Sequence, residues 1–155
     1  MKKVLIVYHS QEKGNTHRMA ELVAQGCREA EGIAVQMINV NERRVDMDTA
    51  EQADAYALGS PDYFSYVAGN LKQFFDDILL ANWGGRATTG KPYVGFLTHG
   101  GGGTAIGSLD RLAKATKLVP AAPNAICQGA PEAAQDVENS IALGRQLAEH
   151  LTKGG

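Results

Sequence analysis

The stretch that decides the fold is Lys2-Lys3-Val4-Leu5-Ile6-Val7-Tyr8-His9-Ser10-Gln11-Glu12-Lys13-Gly14-Asn15-Thr16-His17. Residues 3–8 are an apolar run of strand length, and apolar residues at helical spacing follow His17. The hydroxyl, glycine and amide residues between them place backbone N–H groups and the positive end of a helix dipole at one point. The stretch therefore predicts a strand, an anion-binding loop and a helix, and the alternative is that Ser10, Asn15 and Thr16 only turn the chain and cap the helix.

Four further segments have the length and composition of strands, and they alternate with segments of helical period. The predicted strands cover residues 3–8, 33–39, 54–59, 92–98 and about 118–127. The last is predicted to lie at an edge or to be broken, because Pro120 and Pro123 disrupt ladder hydrogen bonding. Predicted helices carry apolar stripes that start at Met19, Leu71 and Leu109, and others lie at about 132–152 and within 44–52. This alternation is typical of a parallel sheet with helices on both faces.

Glycine spacing distinguishes the two sheet orders that are common for such a chain. A dinucleotide-binding fold has G-x-G-x-x-G after the first strand and an acidic residue at the end of the second. Here the first loop contains only Gly14, and the second strand ends in Ile38-Asn39-Val40. We therefore predict one α/β domain over residues 1–155, a three-layer sandwich whose five-stranded parallel sheet has the order 2-1-3-4-5.

The composition excludes several classes of partner. The 155 residues include 15 Lys+Arg and 17 Asp+Glu, a net charge of -2, so we expect binding to neither nucleic acid nor an anionic membrane. No apolar run approaches the ~20 residues of a membrane helix. The first residues lack the features of a signal peptide, and we expect a cytoplasmic protein. Cys27 and Cys127 are too far apart for a CxxC motif, so we expect inert thiols and no metal site.

Two more loops of unusual composition follow the third and fourth predicted strands. They are Gly59-Ser60-Pro61-Asp62-Tyr63-Phe64, which precedes Leu71-Lys72-Gln73-Phe74-Phe75-Asp76, and Thr98-His99-Gly100-Gly101-Gly102-Gly103. Together with the segment from Ser10 to Thr16, these loops resemble those of the flavodoxin-like superfamily, and the likeness covers essentially the whole chain. The pattern is closest to flavodoxin-fold NAD(P)H:quinone and FMN reductases. It is less close to short-chain electron-carrier flavodoxins, whose first loop is nearer to T-x-T-G-x-T and which are more acidic.

The resemblance implies that the protein binds FMN through these loops. The residues it implies for the phosphate are Ser10, Gln11, Lys13, Gly14, Asn15 and Thr16. The residues it implies for the flavin ring are Ser60, Pro61, Asp62, Tyr63, Phe64, Thr98, His99, Gly100, Gly101 and Gly102. Tyr63, Phe64 and Tyr66 are expected to be exposed and to contact the ring, and the alternative is that they pack beneath their loop. Because the glycine run contains no aromatic residue, one face of the ring is expected to stay open to a substrate, NAD(P)H or a second subunit.

His99 is the candidate catalytic residue, because its imidazole could donate a hydrogen bond to the reduced flavin or protonate a quinone oxygen. The alternative is a structural hydrogen bond within its loop. The expected function is transfer of electrons from NAD(P)H through FMN to a quinone or a similar small acceptor. Two alternatives remain open, a flavodoxin-type single-electron carrier between redox proteins and a flavin-free regulatory domain of the same fold. The sequence also leaves open whether the protein is a monomer or a homo-oligomer, and whether Trp83 covers the core or lies at a subunit contact.

Overall fold

Strands and helices alternate along the whole of the described chain, which in this computed structural model comprises residues 1–12 and 14–153. In chain order the elements are β1 (Lys2–Tyr8), α1 (Asn15–Arg28), β2 (Ile33–Asn39), α2 (Met47–Gln52), β3 (Ala55–Pro61), α3 (Gly69–Trp83), β4 (Pro92–His99), α4 (Ile106–Ala115), β5 (Val119–Pro120), β6 (Ala125–Gln128) and α5 (Ala134–Thr152). The parallel sheet has the order β2-β1-β3-β4-β5, and β6 also pairs with β4. The predicted fold and strand order are therefore confirmed.

The predicted fifth strand is divided into two short strands. β5 pairs with the start of β4, and β6 pairs with its end, from Phe96↔Ala125 to His99↔Gln128. Between them Asn124 turns its side chain to the sheet, and its Oδ1 accepts the N–H of Gly95 at 2.8 Å. A side-chain amide thus replaces a ladder bond next to the two prolines, and the predicted break is confirmed.

Two cores lie on opposite faces of the sheet because side chains alternate along each strand. Val4, Ile6 and Tyr8 pack against α1 and α5. Leu5 and Val7 pack against α2, α3 and α4. The residue after Tyr8 therefore directs its side chain to the α3 face of the sheet.

The helices α1 and α5 approach each other backbone to backbone. A Cβ atom on Gly26 would lie 1.9 Å from the carbonyl oxygen of Ile141, and one on Gly144 would lie 1.9 Å from that of Val23. Each glycine thus provides the space into which the other helix fits.

Several side chains outside the cores have a defined exposure. Cys27 and Cys127 are both buried free thiols, as expected. Trp83 is 72% exposed and therefore does not cover the core. Within residues 1–12 and 14–153, no helix combines the length and apolar character that would be needed to cross a bilayer.

Candidate functional site

Three loops meet where the carboxyl ends of β1, β3 and β4 lie side by side. They are the first loop (residues 9–14), the hairpin loop (62–68) and the glycine loop (100–105). The amide Nε2 of Gln11 donates to the Tyr63 hydroxyl at 3.2 Å, which joins the first two loops. The structure therefore brings together the three segments that the sequence predicted to bind one ligand.

Ser10 anchors the first loop to the end of β2. Its backbone N–H donates to Oδ1 of Asn39 at 3.0 Å, and its carbonyl accepts from Nδ2 of Asn39 at 3.0 Å and of Asn41 at 3.1 Å. Its hydroxyl accepts from the N–H of His17 at 3.1 Å and so caps α1. Sequence analysis did not select Asn39 or Asn41. Asn39 ends β2 opposite Tyr8, and a polar residue at that position indicates a side chain that can reach the first loop.

The first loop presents free backbone donors at the start of α1. The N–H groups of Gln11, Glu12, Asn15 and Thr16 donate to no acceptor within the described ranges. Gly14 donates to the carbonyl of Gln11 at 2.9 Å, and a Cβ on Gly14 would lie 2.7 Å from that same oxygen. The first turn of α1 contains no acidic residue. These groups fit an anion, because donors at a helix N-terminus attract negative charge.

The hydroxyl groups expected at the phosphate are engaged inside the protein. Ser10 Oγ donates to the carbonyl of Gln11 at 2.9 Å, and Thr16 Oγ1 lies 2.7 Å from Thr98 Oγ1 in a buried pair. Backbone N–H groups are therefore the principal donors that this loop offers. Lys13, also expected at the phosphate, lies outside the described residues.

The hairpin loop is a tight turn with an aromatic tip. Tyr63 and Tyr66 exchange two backbone hydrogen bonds of 3.0 and 3.1 Å. The two residues between them, Phe64 and Ser65, have φ values of 58° and 62°. Glycine or asparagine is usual at such positions, so the turn is strained. Phe64 is fully exposed and the two tyrosines are more than one-third exposed, which confirms the predicted exposure.

Asp62 ties the hairpin loop to the glycine loop. Its Oδ1 accepts the N–H of Ser65 at 2.8 Å, and its Oδ2 accepts the N–H of Ala105 at 3.1 Å. Ser60 holds the other end of the hairpin loop, because its hydroxyl accepts the N–H of Ala68 at 2.9 Å and donates to the carbonyl of Pro61 at 2.6 Å. The predicted residues 60–62 thus hold these loops in place from within the protein.

Replacing Asp62 by alanine should weaken FMN binding about tenfold, because two charge-assisted hydrogen bonds that order the loops are lost. Fluorescence titration with FMN measures this change. Asp76→Ala is the matched control, since Asp76 pairs with Lys72 on the exposed face of α3 and with no other described residue, and it should bind FMN normally. If Asp62→Ala bound FMN with unchanged affinity, the hydrogen bonds from Asp62 to the two loops would not order the site.

The glycine loop is open above the end of β4. An added Cβ would meet no atom within 4 Å at Gly100 or Gly101, and only Gly103 has a positive φ, of 72°. The N–H groups of residues 100–103 donate to no acceptor among the residues that the structure describes. His99 packs against Gly103, while its Nδ1 is buried without a partner in the described chain. One ring nitrogen of His99, the predicted catalytic residue, therefore has no described hydrogen-bond partner.

His9 is a second histidine of this edge, and sequence analysis did not select it. It is only 5% exposed, and its ring meets that of Tyr63 edge to face at a centroid distance of 5.7 Å. Its Nδ1 lies 3.5 Å from Nδ2 of Asn70, at the start of α3. Burial lowers the pKa of His9 below its ordinary value of 6.5, so the ring is neutral at pH 7.

The lowered pKa of His9 predicts a loss of stability in acid. Below pH 6.5 the unfolded chain gains a proton at His9 before the folded protein does, so the free energy of unfolding falls as the pH falls. Urea denaturation between about pH 7.5 and about pH 5 should show a larger loss in the unsubstituted protein than in His9→Phe. Equal losses would contradict this assignment.

Comparison with known proteins identifies the family. The sequence pattern of the family described as NADPH-dependent FMN reductase matches residues 1–119. The chain belongs to this family. Its relatives carry two kinds of name. The flavodoxin of Aquifex aeolicus is 33% identical, over 96% of this chain and 86% of that protein. An NAD(P)H dehydrogenase (quinone) of Methanosarcina barkeri is 26% identical, over 99% of this chain and 97% of that protein.

Solved structures support the same assignment. A flavodoxin from the domain Archaea superposes on this FMN reductase family member with a TM-score of 0.83 and 25% sequence identity, over 97% of this chain and 99% of that one. The predicted membership of the flavodoxin-like, FMN-binding superfamily is therefore confirmed.

Proposed function

We propose that this protein binds FMN at the three loops and passes electrons from NAD(P)H to a quinone or a similar small acceptor. The observation that carries the proposal is the set of N–H groups at the start of α1 that have no acceptor among the described residues, beside an exposed aromatic hairpin. An anion site next to a planar apolar surface suits a ligand that joins a phosphate to an aromatic ring.

The first loop would hold the phosphate. The N–H groups of Gln11, Glu12, Asn15 and Thr16 are its donors, and the exposed side chain of Asn15 lies beside them. Gly14 allows the loop to close on itself without a side chain in the way.

The hairpin and glycine loops would hold the ring. Tyr63, Phe64 and Tyr66 offer aromatic surface, and the N–H of Phe64 has no acceptor among the described residues. The N–H groups of residues 100–103 could stabilise negative charge on the ring edge, and the free Nδ1 of His99 could hold a proton for the acceptor. Bound FMN would supply the hydride and electron transfer itself. The absence of aromatic residues from the glycine loop leaves room for a second planar molecule.

A second candidate function is single-electron transfer between redox proteins. The 33% identity to the flavodoxin of Aquifex aeolicus, over nearly the whole chain, favours it. A carrier needs only a solvent-exposed edge of the flavin ring. A ring bound beside the exposed hairpin tip would have such an edge.

Anaerobic mixing of the FMN-loaded protein with NADPH and, separately, with NADH distinguishes the two functions. Rapid loss of the flavin absorbance near about 450 nm, followed by its return on addition of a quinone, is the result expected for a reductase. Absorbance that falls only on addition of a chemical reductant would support the carrier and contradict the reductase. The nucleotide that reduces the flavin faster is identified as the electron donor.

A further inference from the structure

Two of the unpartnered polar atoms in the core belong to histidines at the loop edge of the sheet. Among buried side-chain nitrogen and oxygen atoms of the described residues, those without a hydrogen-bond partner are Nε2 of His9, Nδ1 of His99 and Nε of Arg86. The Arg86 guanidinium is otherwise paired with Asp48 and Glu51. Buried polar groups are normally satisfied, so the two imidazole nitrogens require an explanation.

The contact to Asn70 indicates which nitrogen of His9 carries the proton. With the Asn70 amide in its present orientation, Nδ2 lies 3.5 Å from Nδ1 of His9, and because an amide nitrogen only donates, Nδ1 accepts. The proton of the neutral ring is then on Nε2. His9 consequently has a buried N–H donor with no acceptor among the described residues, at the same sheet edge as the backbone donors of the first loop.

The aromatic group that packs on His9 belongs to a strained turn. Tyr63 contacts the His9 ring by its edge, and it belongs to a turn with positive φ values at Phe64 and Ser65. Phe64 is fully exposed and the two tyrosines are more than one-third exposed, so part of the aromatic surface of the turn makes no apolar contact that would oppose a shift. A small shift of the hairpin loop would give a ligand access to the ring nitrogen.

We propose that His9 is a ligand-binding residue, and that its Nε2–H donates to an oxygen of the flavin nucleotide bound at the three loops. This inference rests on the proposed function, since it needs a ligand at that edge. The oxygen could belong to the phosphate or to the flavin and its sugar-alcohol chain, and the shared chemistry is that of a hydrogen-bond acceptor. In this arrangement FMN supplies the acceptor that residues 1–12 and 14–153 do not provide.

Nuclear magnetic resonance of the unsubstituted protein, labelled with nitrogen-15 in its histidines, tests the inference directly. Spectra are recorded for the protein alone and for the protein with inorganic phosphate, riboflavin or FMN. We expect a His9 Nε2–H tautomer throughout, and a downfield shift of its proton with slowed exchange when FMN binds. A response to riboflavin places the acceptor on the ring or its chain, and a response confined to phosphate and FMN places it on the phosphate. His150, at the far end of α5, should not respond.

Substitution provides the second test, with FMN affinity as the readout. His9→Phe keeps a ring against Tyr63 but removes the donor, and should weaken FMN binding about tenfold. His9→Gln places an amide donor near the position of Nε2 and should recover most of the affinity. His150→Phe is the control. FMN binding that leaves the His9 signals unchanged overturns the inference alone, and failure of FMN to bind overturns the proposed function with it.

Discussion

Gly14→Ala is expected to weaken FMN binding about 100-fold, because it displaces the donors that face the phosphate. An added Cβ would lie 2.3 Å from Ser10 Oγ and 2.7 Å from the carbonyl oxygen of Gln11. The first contact disturbs the hydroxyl that caps α1, and the second pushes against the backbone that closes the loop. Both shifts move the N–H groups of Asn15 and Thr16 from the point at which they now converge.

Isothermal titration of FMN into the variant measures the effect. Gly84→Ala is the matched control, since Gly84 lies at the opposite edge of the sheet and a Cβ there would come no closer than 3.4 Å to neighbouring atoms of α3. The control should bind FMN with unchanged affinity. If Gly14→Ala also bound normally while remaining folded, the first loop would not be the phosphate site.

Gly144→Ala should lower the free energy of unfolding by about 3 kcal/mol or more, since overpacking against backbone atoms cannot be relieved by a rotamer change. The added methyl group would lie 1.9 Å from the carbonyl oxygen of Val23 and 2.9 Å from the N–H nitrogen of Cys27. The helices α1 and α5 would have to separate along their crossing. Because α1 begins at the first loop, this separation should also weaken FMN binding.

Urea denaturation measures the change in stability. Gly107→Ala, on α4, serves as the control because a Cβ there would meet no atom within 4 Å. It should raise the free energy of unfolding by about 0.5 to 1 kcal/mol through helix propensity alone. A gain in stability for Gly144→Ala similar to that of Gly107→Ala would mean that α1 and α5 are not in close contact.

The fold could be predicted from the sequence because apolar runs of strand length alternate with segments whose apolar residues recur at helical spacing. The break in the fifth strand was also predictable, since Pro120 and Pro123 cannot complete a ladder. Gly26 and Gly144 lie in the apolar stripes of the first and last predicted helices. The sequence could not show that they meet, because the pairing of α1 with α5 depends on the assembled sheet. Likewise Asn39 and Asn41 reach Ser10 only once β1 and β2 are in register.

The site was predicted as three loops, but the internal bonding of its residues was not. Ser10 and Thr16 were selected for the phosphate, and the sequence did not show that the Ser10 hydroxyl bonds to the carbonyl of Gln11 or that the Thr16 hydroxyl pairs with that of Thr98. The turn at Phe64 and Ser65 lacks the glycine or asparagine that normally signals positive φ, so no local pattern reveals it. His9 follows a buried strand, and only the packing of Tyr63 and α3 shows that its ring is enclosed.

The central claim is that the first loop binds the phosphate of FMN, and comparison of FMN with riboflavin tests it most directly. The two ligands share the ring and differ by the phosphate group. Isothermal titration of the unsubstituted protein should show FMN binding at least about 100-fold more tightly than riboflavin, as expected for several N–H donors on a dianion. Equal affinities, or no binding of either ligand, would contradict the account.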